Sequence, residues 1–271
     1  MSERLVAPAP TFVVTKEYRR FAEFCDACLR YRYIGLCYGA PGVGKTLSAR
    51  HYAQWDALEI LLTSYLPPSS VAVDVTTCRT MLYTPAVAVT PRQIEREVHN
   101  LRYRVTDVVS RAARAYPSDP QKSAQKHAPD LLMVDEADRL KMAALEQMRD
   151  LYDRGNIGLI LIGMPGIEKR LARYPQLYSR VGFVHPFRAL SPEEVLFILQ
   201  AKWEHLGLSL SPEDFTDAEV IAAVTRITGG NFRLIHRLFT QIERILEINE
   251  LRTVTKEVVE TAREQLVIGP L

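Results

Sequence analysis

The sequence predicts an α/β protein in which an open parallel sheet with helices on both faces precedes a smaller all-helical domain. Short apolar segments alternate with amphipathic ones up to about residue 189, as in strands joined by crossover helices. The segment IGLILIG is apolar throughout, as in a strand buried on both faces. Beyond residue 189 only helical patterns occur. We therefore expect a loose arm over 1–11, an α/β core over 12–189 and a helical domain over 190–271.

The first part of the core is predicted as helix, strand, loop and helix. Apolar residues at helical spacing predict a helix over 16–31, and YIGLCY at 33–38 predicts a strand. A glycine-rich loop follows, and residues 45–55 then have an amphipathic pattern. The stretch 57–80 is ambiguous, because LPPSS interrupts it while VAVDV at 71–75 fits a strand.

The rest of the core alternates strands and helices. TMLYTPAV predicts a strand that ends at Thr90-Pro91, where threonine suits an N-cap and proline the first helical position. Apolar residues then recur every three or four positions from Ile94 to Ala112, which predicts a helix ending near Tyr116. The remaining predicted elements are the strand LLMV before Asp135, a helix over 141–153, the strand IGLILIG and the strand VGFVHPF.

Four helices are predicted in the C-terminal domain. Ser191 and Glu194 have the spacing of a capping box, and Thr216 is expected to cap the second helix. The third helix follows a glycine pair in GGNFRLIHRLFTQIERILEI, and TVTKEVVETAREQL forms the fourth.

The composition is that of an ordinary globular protein. The 271 residues are 47% apolar and 24% charged with a net charge of +2, so affinity for nucleic acid would have to come from local clustering. No run of eighteen apolar residues occurs and the N-terminus lacks the apolar core of a signal peptide, so we expect a cytoplasmic protein without a membrane segment. Cys25 and Cys28 form a C-x-x-C pair that raises the alternative of zinc. Because no second ligand pair follows, we expect free thiols.

Residues 39–46, GAPGVGKT, match the pattern G-x-x-x-x-G-K-[ST] and predict a loop that binds phosphates. Glycines allow successive backbone N–H groups to face one point, and the helix that follows adds its positive end. Lys45 can reach the β- and γ-phosphates, and Thr46 can ligate Mg²⁺. An ordinary glycine-rich turn is the alternative, but the strand before and the helix after favour a nucleotide site. Its predicted contacts are Gly39, Ala40, Pro41, Gly42, Val43, Gly44, Lys45, Thr46 and Leu47.

Asp135 and Glu136 follow the strand LLMV and predict the hydrolytic side of the site. Asp135 at the carboxyl edge of the sheet can hold Mg²⁺ opposite Thr46, and Glu136 is placed to polarise an attacking water. A surface turn with incidental acids is the alternative. The pair indicates hydrolysis rather than phosphoryl transfer to a small molecule.

Three arginines are candidates for stabilising the transferred phosphoryl group. Arg173 and Arg180 precede the fifth strand, where an arginine can reach the γ-phosphate of a neighbouring subunit. Arg233 lies in the first turn of the helix after GGN and would face the phosphates if the helical domain covers the site. The alternative for each is an exposed surface or DNA-facing charge.

The combined pattern of phosphate loop, Asp-Glu strand, arginine-bearing segment and helical lid with GNFR resembles the AAA+ ATPases over residues 12–267. DEADRL and LILIGMPGIEKRLARYPQLYSRV look most like the transposon target-selection regulators of the TnsC, TniB and MuB group. The resemblance implies an ATP-dependent protein that binds double-stranded DNA through the phosphate backbone and oligomerises there as a ring or filament. It also implies that the protein recruits or activates a transposase and meets a target-selector protein.

The resemblance also assigns roles to individual residues. Lys45 and Thr46 would bind ATP with Mg²⁺, and Glu136 would activate water. Arg180 resembles the arginine finger and Arg233 the lid sensor. One position departs from the pattern, because Met164 stands at the end of the fourth strand, where many AAA+ proteins have a polar residue that positions water. The departure predicts slow hydrolysis.

The segment 91–128 is the basic region of the chain. It holds eight basic and four acidic side chains, a surplus of four positive charges against +2 for the whole protein. We expect contacts to DNA phosphates from Arg92, Arg102, Arg104 and Lys122, summed over many subunits. A solvated helix face is the alternative.

Other functions fit parts of the pattern. One is a helicase loader or another AAA+ assembly ATPase, although a loader needs an N-terminal partner domain and only a short arm precedes the core. A nucleotide-dependent signalling switch that binds only protein is a further alternative. Filaments or rings on duplex DNA with an ATP analogue would support the transposition regulator, whereas isolated monomers would support the signalling switch.

Overall fold

A computed structural model of the chain describes residues 12–266, apart from 65, 68–69, 72, 116–127, 206–207 and 209. The chain divides into two compact units. The α/β unit runs from Arg20 to Ala189, and the helical unit comprises the described residues from Leu190 onward together with those from 12 to 19. The arm predicted over 1–11 lies outside the described residues.

A five-stranded parallel sheet forms the centre of the α/β unit, which confirms the predicted fold class. Its strand order is β2-β3-β4-β1-β5, and every neighbouring pair is parallel. All carboxyl ends therefore lie along one edge, where ligands of open α/β sheets bind. The three inner strands are almost wholly buried, because helices cover both faces. The strands are β1 Ile34–Tyr38, β2 Thr80–Tyr83, β3 Leu131–Val134, β4 Gly158–Gly163 and β5 Val181–Pro186.

Seven helices accompany the strands among the described residues, and a short 3₁₀ turn, Ala137–Arg139, follows β3. α4 is the longest of them. Its stripe of apolar residues from Ile94 to Ala112 is buried except for the half-buried Leu101, as the three-and-four spacing predicts. The helices are α1 Lys16–Tyr31, α2 Lys45–Tyr52, α3 Trp55–Ser64, α4 Pro91–Ala115, α5 Met142–Gly155, α6 Ile167–Leu171 and α7 Pro175–Tyr178.

After the phosphate loop, one predicted helix bound is wrong and the segment left ambiguous has its own local structure. The helix predicted over 45–55 ends at Tyr52, because Gln54 takes a positive φ of 49° and the chain turns into α3. The segment 71–75 contains no strand among its described residues. Its alternating valines instead flank Asp74, whose carboxylate accepts hydrogen bonds from the backbone N–H and hydroxyl of Thr76, a local turn that competes with strand pairing.

The helical unit packs four helices around one apolar cluster, in which the rings of Trp203 and Phe239 meet edge to face at 5.1 Å. Ser191 and Glu194 form the predicted capping box, with the Ser191 N–H donating to the Glu194 carboxylate at 3.0 Å. The cap predicted at Thr216 is wrong. Asp214 caps that helix instead, accepting the Thr216 N–H at 2.9 Å, since an aspartate two residues earlier reaches the free N–H groups. The helices are α8 Pro192–His205, α9 Phe215–Thr228, α10 Phe232–Ile248 and α11 Lys256–Glu264.

All four cysteines are free thiols in the buried interior. Burial raises the pKa of Cys25 well above its usual value and that of Cys28 to about 12, so neither is ionised at neutral pH. Among the helices of the described chain, none combines the length and apolar character needed to cross a bilayer.

Candidate nucleotide site

The phosphate loop, residues 39–46, leaves the carboxyl end of β1, a central strand of the sheet. Gly39 is required by space, because a Cβ there would lie 2.2 Å from the carbonyl oxygen of Phe187. Gly42 and Gly44 have φ values of 81° and 111°, which favour glycine. The backbone conformation of the loop therefore requires glycine at these three positions.

Lys45 and Thr46 occupy the first turn of α2, whose N-terminus carries partial positive charge. The Lys45 Nζ donates hydrogen bonds to the carbonyl oxygens of Gly39 at 2.6 Å and Ala40 at 2.9 Å. The ammonium is thus folded over the loop. Cation, helix terminus and glycine loop converge at one place, which suits a polyphosphate.

The structure joins the two halves of the predicted metal site directly. The Thr46 hydroxyl donates to Oδ2 of Asp135 at 2.7 Å, across 89 residues of chain. Asp135 is only 4% exposed, and its Oδ1 accepts the backbone N–H of Glu136 at 2.9 Å. A hydroxyl and a carboxylate at hydrogen-bond distance are hard oxygen donors of the kind that Mg²⁺ takes, so these residues fit the ion.

Glu136 lies beside this pair but is held by an arginine that sequence reasoning missed. Its backbone is left-handed, with φ 52°, and the side chain is exposed. The carboxylate forms an ion pair with Arg139, whose Nη1 also donates to the carbonyl oxygen of Pro85 at 2.9 Å. Arg139 thereby connects the predicted general base to the loop that follows β2.

The turn after β3 is also fixed to the end of β4. The Met164 N–H donates to Oδ2 of Asp138 at 2.7 Å, and a Cβ at Gly163 would lie 2.7 Å from the same oxygen. Arg170 on α6 donates to the carbonyl oxygens of Asp138 at 2.9 Å and Leu140 at 2.5 Å. Met164 itself brings an apolar side chain to this edge, while Asp138 brings a carboxylate next to it. The sequence DEADRL contains these polar residues, but nothing in it shows what they contact.

Arg180, the predicted finger, is bound within its own unit. Its guanidinium makes two parallel contacts to Asp153 on α5, Nε to Oδ1 at 2.7 Å and Nη2 to Oδ2 at 2.9 Å. Arg149 donates to the same carboxylate at 2.6 Å. The hydrogen bond from Arg180 is the main reason that the pKa of Asp153 lies below its usual value. Arg173, on the same segment, is exposed.

Arg233 is in the first turn of α10, in the helical unit, and its side chain is exposed. Its backbone N–H donates to the Asn231 side chain, which caps the helix. The lid-sensor role stays a prediction.

Three of the four residues predicted to bind DNA lie on α4, within the described part of the chain. Arg92 is exposed at the start of α4, and Arg102 is half-buried. The Arg104 guanidinium donates to the carbonyl oxygen of Leu62 at the end of α3, which gives it a structural contact. Lys122 lies outside the described residues.

Comparison with known proteins places this site in context. The AAA domain family matches residues 29–171, which include the phosphate loop, Asp135, Glu136 and Arg170. A potential ATP-binding protein of Staphylococcus aureus is 48% identical over 268 residues, covering 95% of this chain and 97% of the relative. The Mu-like prophage FluMu DNA transposition protein B of Haemophilus influenzae is 26% identical over 240 residues, covering 85% of this chain and 72% of that protein.

Solved structures share the architecture. The RuvB Holliday junction branch migration motor of Thermotoga maritima superposes with a TM-score of 0.59 at 16% identity, covering 93% of this chain and 70% of that one. The ORC1 protein of Aeropyrum pernix in complex with DNA gives a TM-score of 0.57 at 20% identity, covering 93% and 66%. At these identities the likeness concerns the fold.

Proposed function

Because the chain belongs to the AAA domain family, we propose that it is an ATPase that assembles on double-stranded DNA and regulates transposition. The observation that carries the nucleotide part is the 2.7 Å contact between Thr46 and Asp135 beside Lys45. It brings the phosphate loop and the carboxylate after β3 together, although they are distant in sequence, which supports one site for ATP and Mg²⁺. In this site Lys45 and the α2 N-terminus stabilise phosphate charge, and bound Mg²⁺ would neutralise more of it.

Hydrolysis is assigned to Glu136, which accepts a proton from the attacking water. The ion pair between the Glu136 carboxylate and Arg139 must first break. In addition, Met164 follows β4 at a position where a polar side chain would help to position the water. Both features support slow turnover. Slow hydrolysis would set the lifetime of the oligomer, because bound ATP favours the assembled state and hydrolysis removes the ATP that favours it.

The DNA and transposition part of the proposal has separate support. The relative from Haemophilus influenzae is named a DNA transposition protein, and the similarity extends over 85% of this chain. The positive surplus in 91–128 matches a phosphate backbone. We propose a homo-oligomer, as ring or filament, with a transposase and a target selector as protein partners. Arg180 is proposed to act across a subunit boundary, and Arg233 to sense the nucleotide.

The Lys45→Ala variant tests the nucleotide site. Losing the cation should weaken ATP binding about tenfold to a hundredfold, as for hydrogen bonds to charged groups, and should abolish ATP-dependent retention on DNA. Titration of a fluorescent ATP analogue measures the first effect and filter binding of duplex DNA the second.

Lys169→Ala is the matched control, since Lys169 is an exposed lysine on α6. It should behave as wild type in both assays. Undiminished ATP affinity in Lys45→Ala would exclude this loop as the site.

A further inference from the structure

A solvent-exposed groove of about 470 Å³ lies between α4 and the C-terminal end of α5, on the α/β unit. Arg92 and Arg96 come from the first turns of α4, and Arg154 comes from the last turn of α5. His99 and Asn100 continue the lining along α4. Folding thus brings together three guanidinium groups from segments about sixty residues apart, and none of this depends on the nucleotide site.

The groove carries more basic than acidic side chains, and acidic residues neutralise part of its positive charge. Glu95 is the acidic residue in the lining, at 3.5 Å from the Arg154 guanidinium. Arg154 also forms an ion pair with Asp150 one turn earlier on α5. Its side chain is still 63% exposed, and Arg92 and Arg96 are exposed too. The three guanidinium groups are therefore exposed to solvent, where they can donate hydrogen bonds to an anion.

The same face of α4 carries an exposed aromatic side chain. Arg92, Arg96, His99 and Tyr103 follow steps of four, three and four, which places them on one side of the helix. Tyr103 is 72% exposed. Arginine, asparagine and tyrosine are all side chains that contact phosphate and sugar in nucleic-acid complexes.

We propose that the α4–α5 groove binds the phosphodiester backbone of double-stranded DNA. Arginine grips phosphate oxygens with paired N–H groups, and three of them along a groove fit successive phosphates better than one small anion. The binding is independent of sequence, since these groups face phosphates rather than base edges. This inference rests on the proposed function but revises which residues contact DNA: Arg96 and Arg154 take the place of Arg102 and Arg104.

The test is the salt dependence of duplex DNA binding by the full chain with a non-hydrolysable ATP analogue. Arg92→Ala combined with Arg96→Ala should weaken binding at least tenfold and lower the salt slope by about two, one for each phosphate contact. Arg154→Gln should lower it by about one. Glu95→Gln should act in the opposite direction and strengthen binding, because it removes the acid from the groove.

Arg237→Gln is the matched control, since it removes one positive charge from an exposed arginine of α10 outside the groove, and it should leave the slope unchanged. Affinity for the ATP analogue, measured for each variant, confirms folding. Wild-type DNA binding by the groove variants would overturn this inference and leave the proposed function standing. Absence of DNA binding by the wild-type chain would overturn both, and polyglutamate that competes as well as DNA would assign the groove to an acidic protein instead.

Discussion

The Glu136→Gln variant is expected to hydrolyse ATP roughly 10²-fold to 10⁴-fold more slowly than the wild type, with ATP affinity nearly unchanged. Glutamine keeps the size of the side chain but cannot accept the proton of the attacking water. Thr46 and Asp135, which contact each other at 2.7 Å, are not altered. Steady-state phosphate release and equilibrium binding of ATP separate the two effects, and complexes with DNA should become long-lived.

Glu146→Gln provides the control for this substitution. Glu146 is a glutamate of α5 whose carboxylate pairs with Arg149. Its variant should retain wild-type turnover. If Glu136→Gln also turns over ATP at the wild-type rate, another group activates the water.

Replacing Arg180 by alanine is expected to lower turnover by roughly 10³-fold, the scale of arginines that act in trans on a phosphoryl group. Nucleotide binding by the separate subunit should remain intact, while ATP-dependent assembly should weaken. The ion pair with Asp153 adds a condition, because Arg180 must leave this carboxylate to reach a neighbour. Asp153→Asn weakens that pair and should therefore preserve turnover.

A purely structural role for Arg180 would have a different signature. Arg180→Ala and Asp153→Asn would then show similar changes in stability and in turnover, since each breaks the same contact. Mixed oligomers of Arg180→Ala and Glu136→Gln subunits sharpen the test. Some interfaces in the mixture pair an intact Glu136 with an intact Arg180, so activity should partly return. Mixtures that stay inactive at every ratio, with Arg173→Ala inactive alone, would move the role to Arg173.

Much of the fold was predictable because its elements have strong periodic patterns. The buried stripe of α4 and the apolar run of β4 each specify both the type of element and the face it buries. The failures occurred where local polar contacts decide. Asp74 turns the chain within the valine-rich segment, and Asp214 caps α9 two residues before the threonine that the pattern favoured.

The candidate site divides in the same way. Lys45, Thr46, Asp135 and Glu136 were predictable because a short motif contains all the chemistry, and the parallel sheet brings both motifs to one edge. The contacts of Arg139 to Pro85 and of Arg154 to Glu95 join residues 54 and 59 positions apart. Such pairs depend on how neighbouring loops and helices pack, which composition and spacing do not specify. The basic surplus of 91–128 was likewise visible in the sequence. The sequence does not show that Arg92 and Arg96 line a groove while Arg104 donates to the carbonyl oxygen of Leu62 on α3.

ATP at the phosphate loop is expected to control assembly on DNA, and sedimentation velocity tests this most directly. The full chain is mixed with a duplex long enough for several subunits, with a non-hydrolysable ATP analogue, with ADP or without nucleotide. We predict large complexes only when DNA and the ATP analogue are both present, and none with Lys45→Ala. Complexes of the same size in all three nucleotide conditions, or a chain that stays monomeric on DNA with the analogue, would contradict the account.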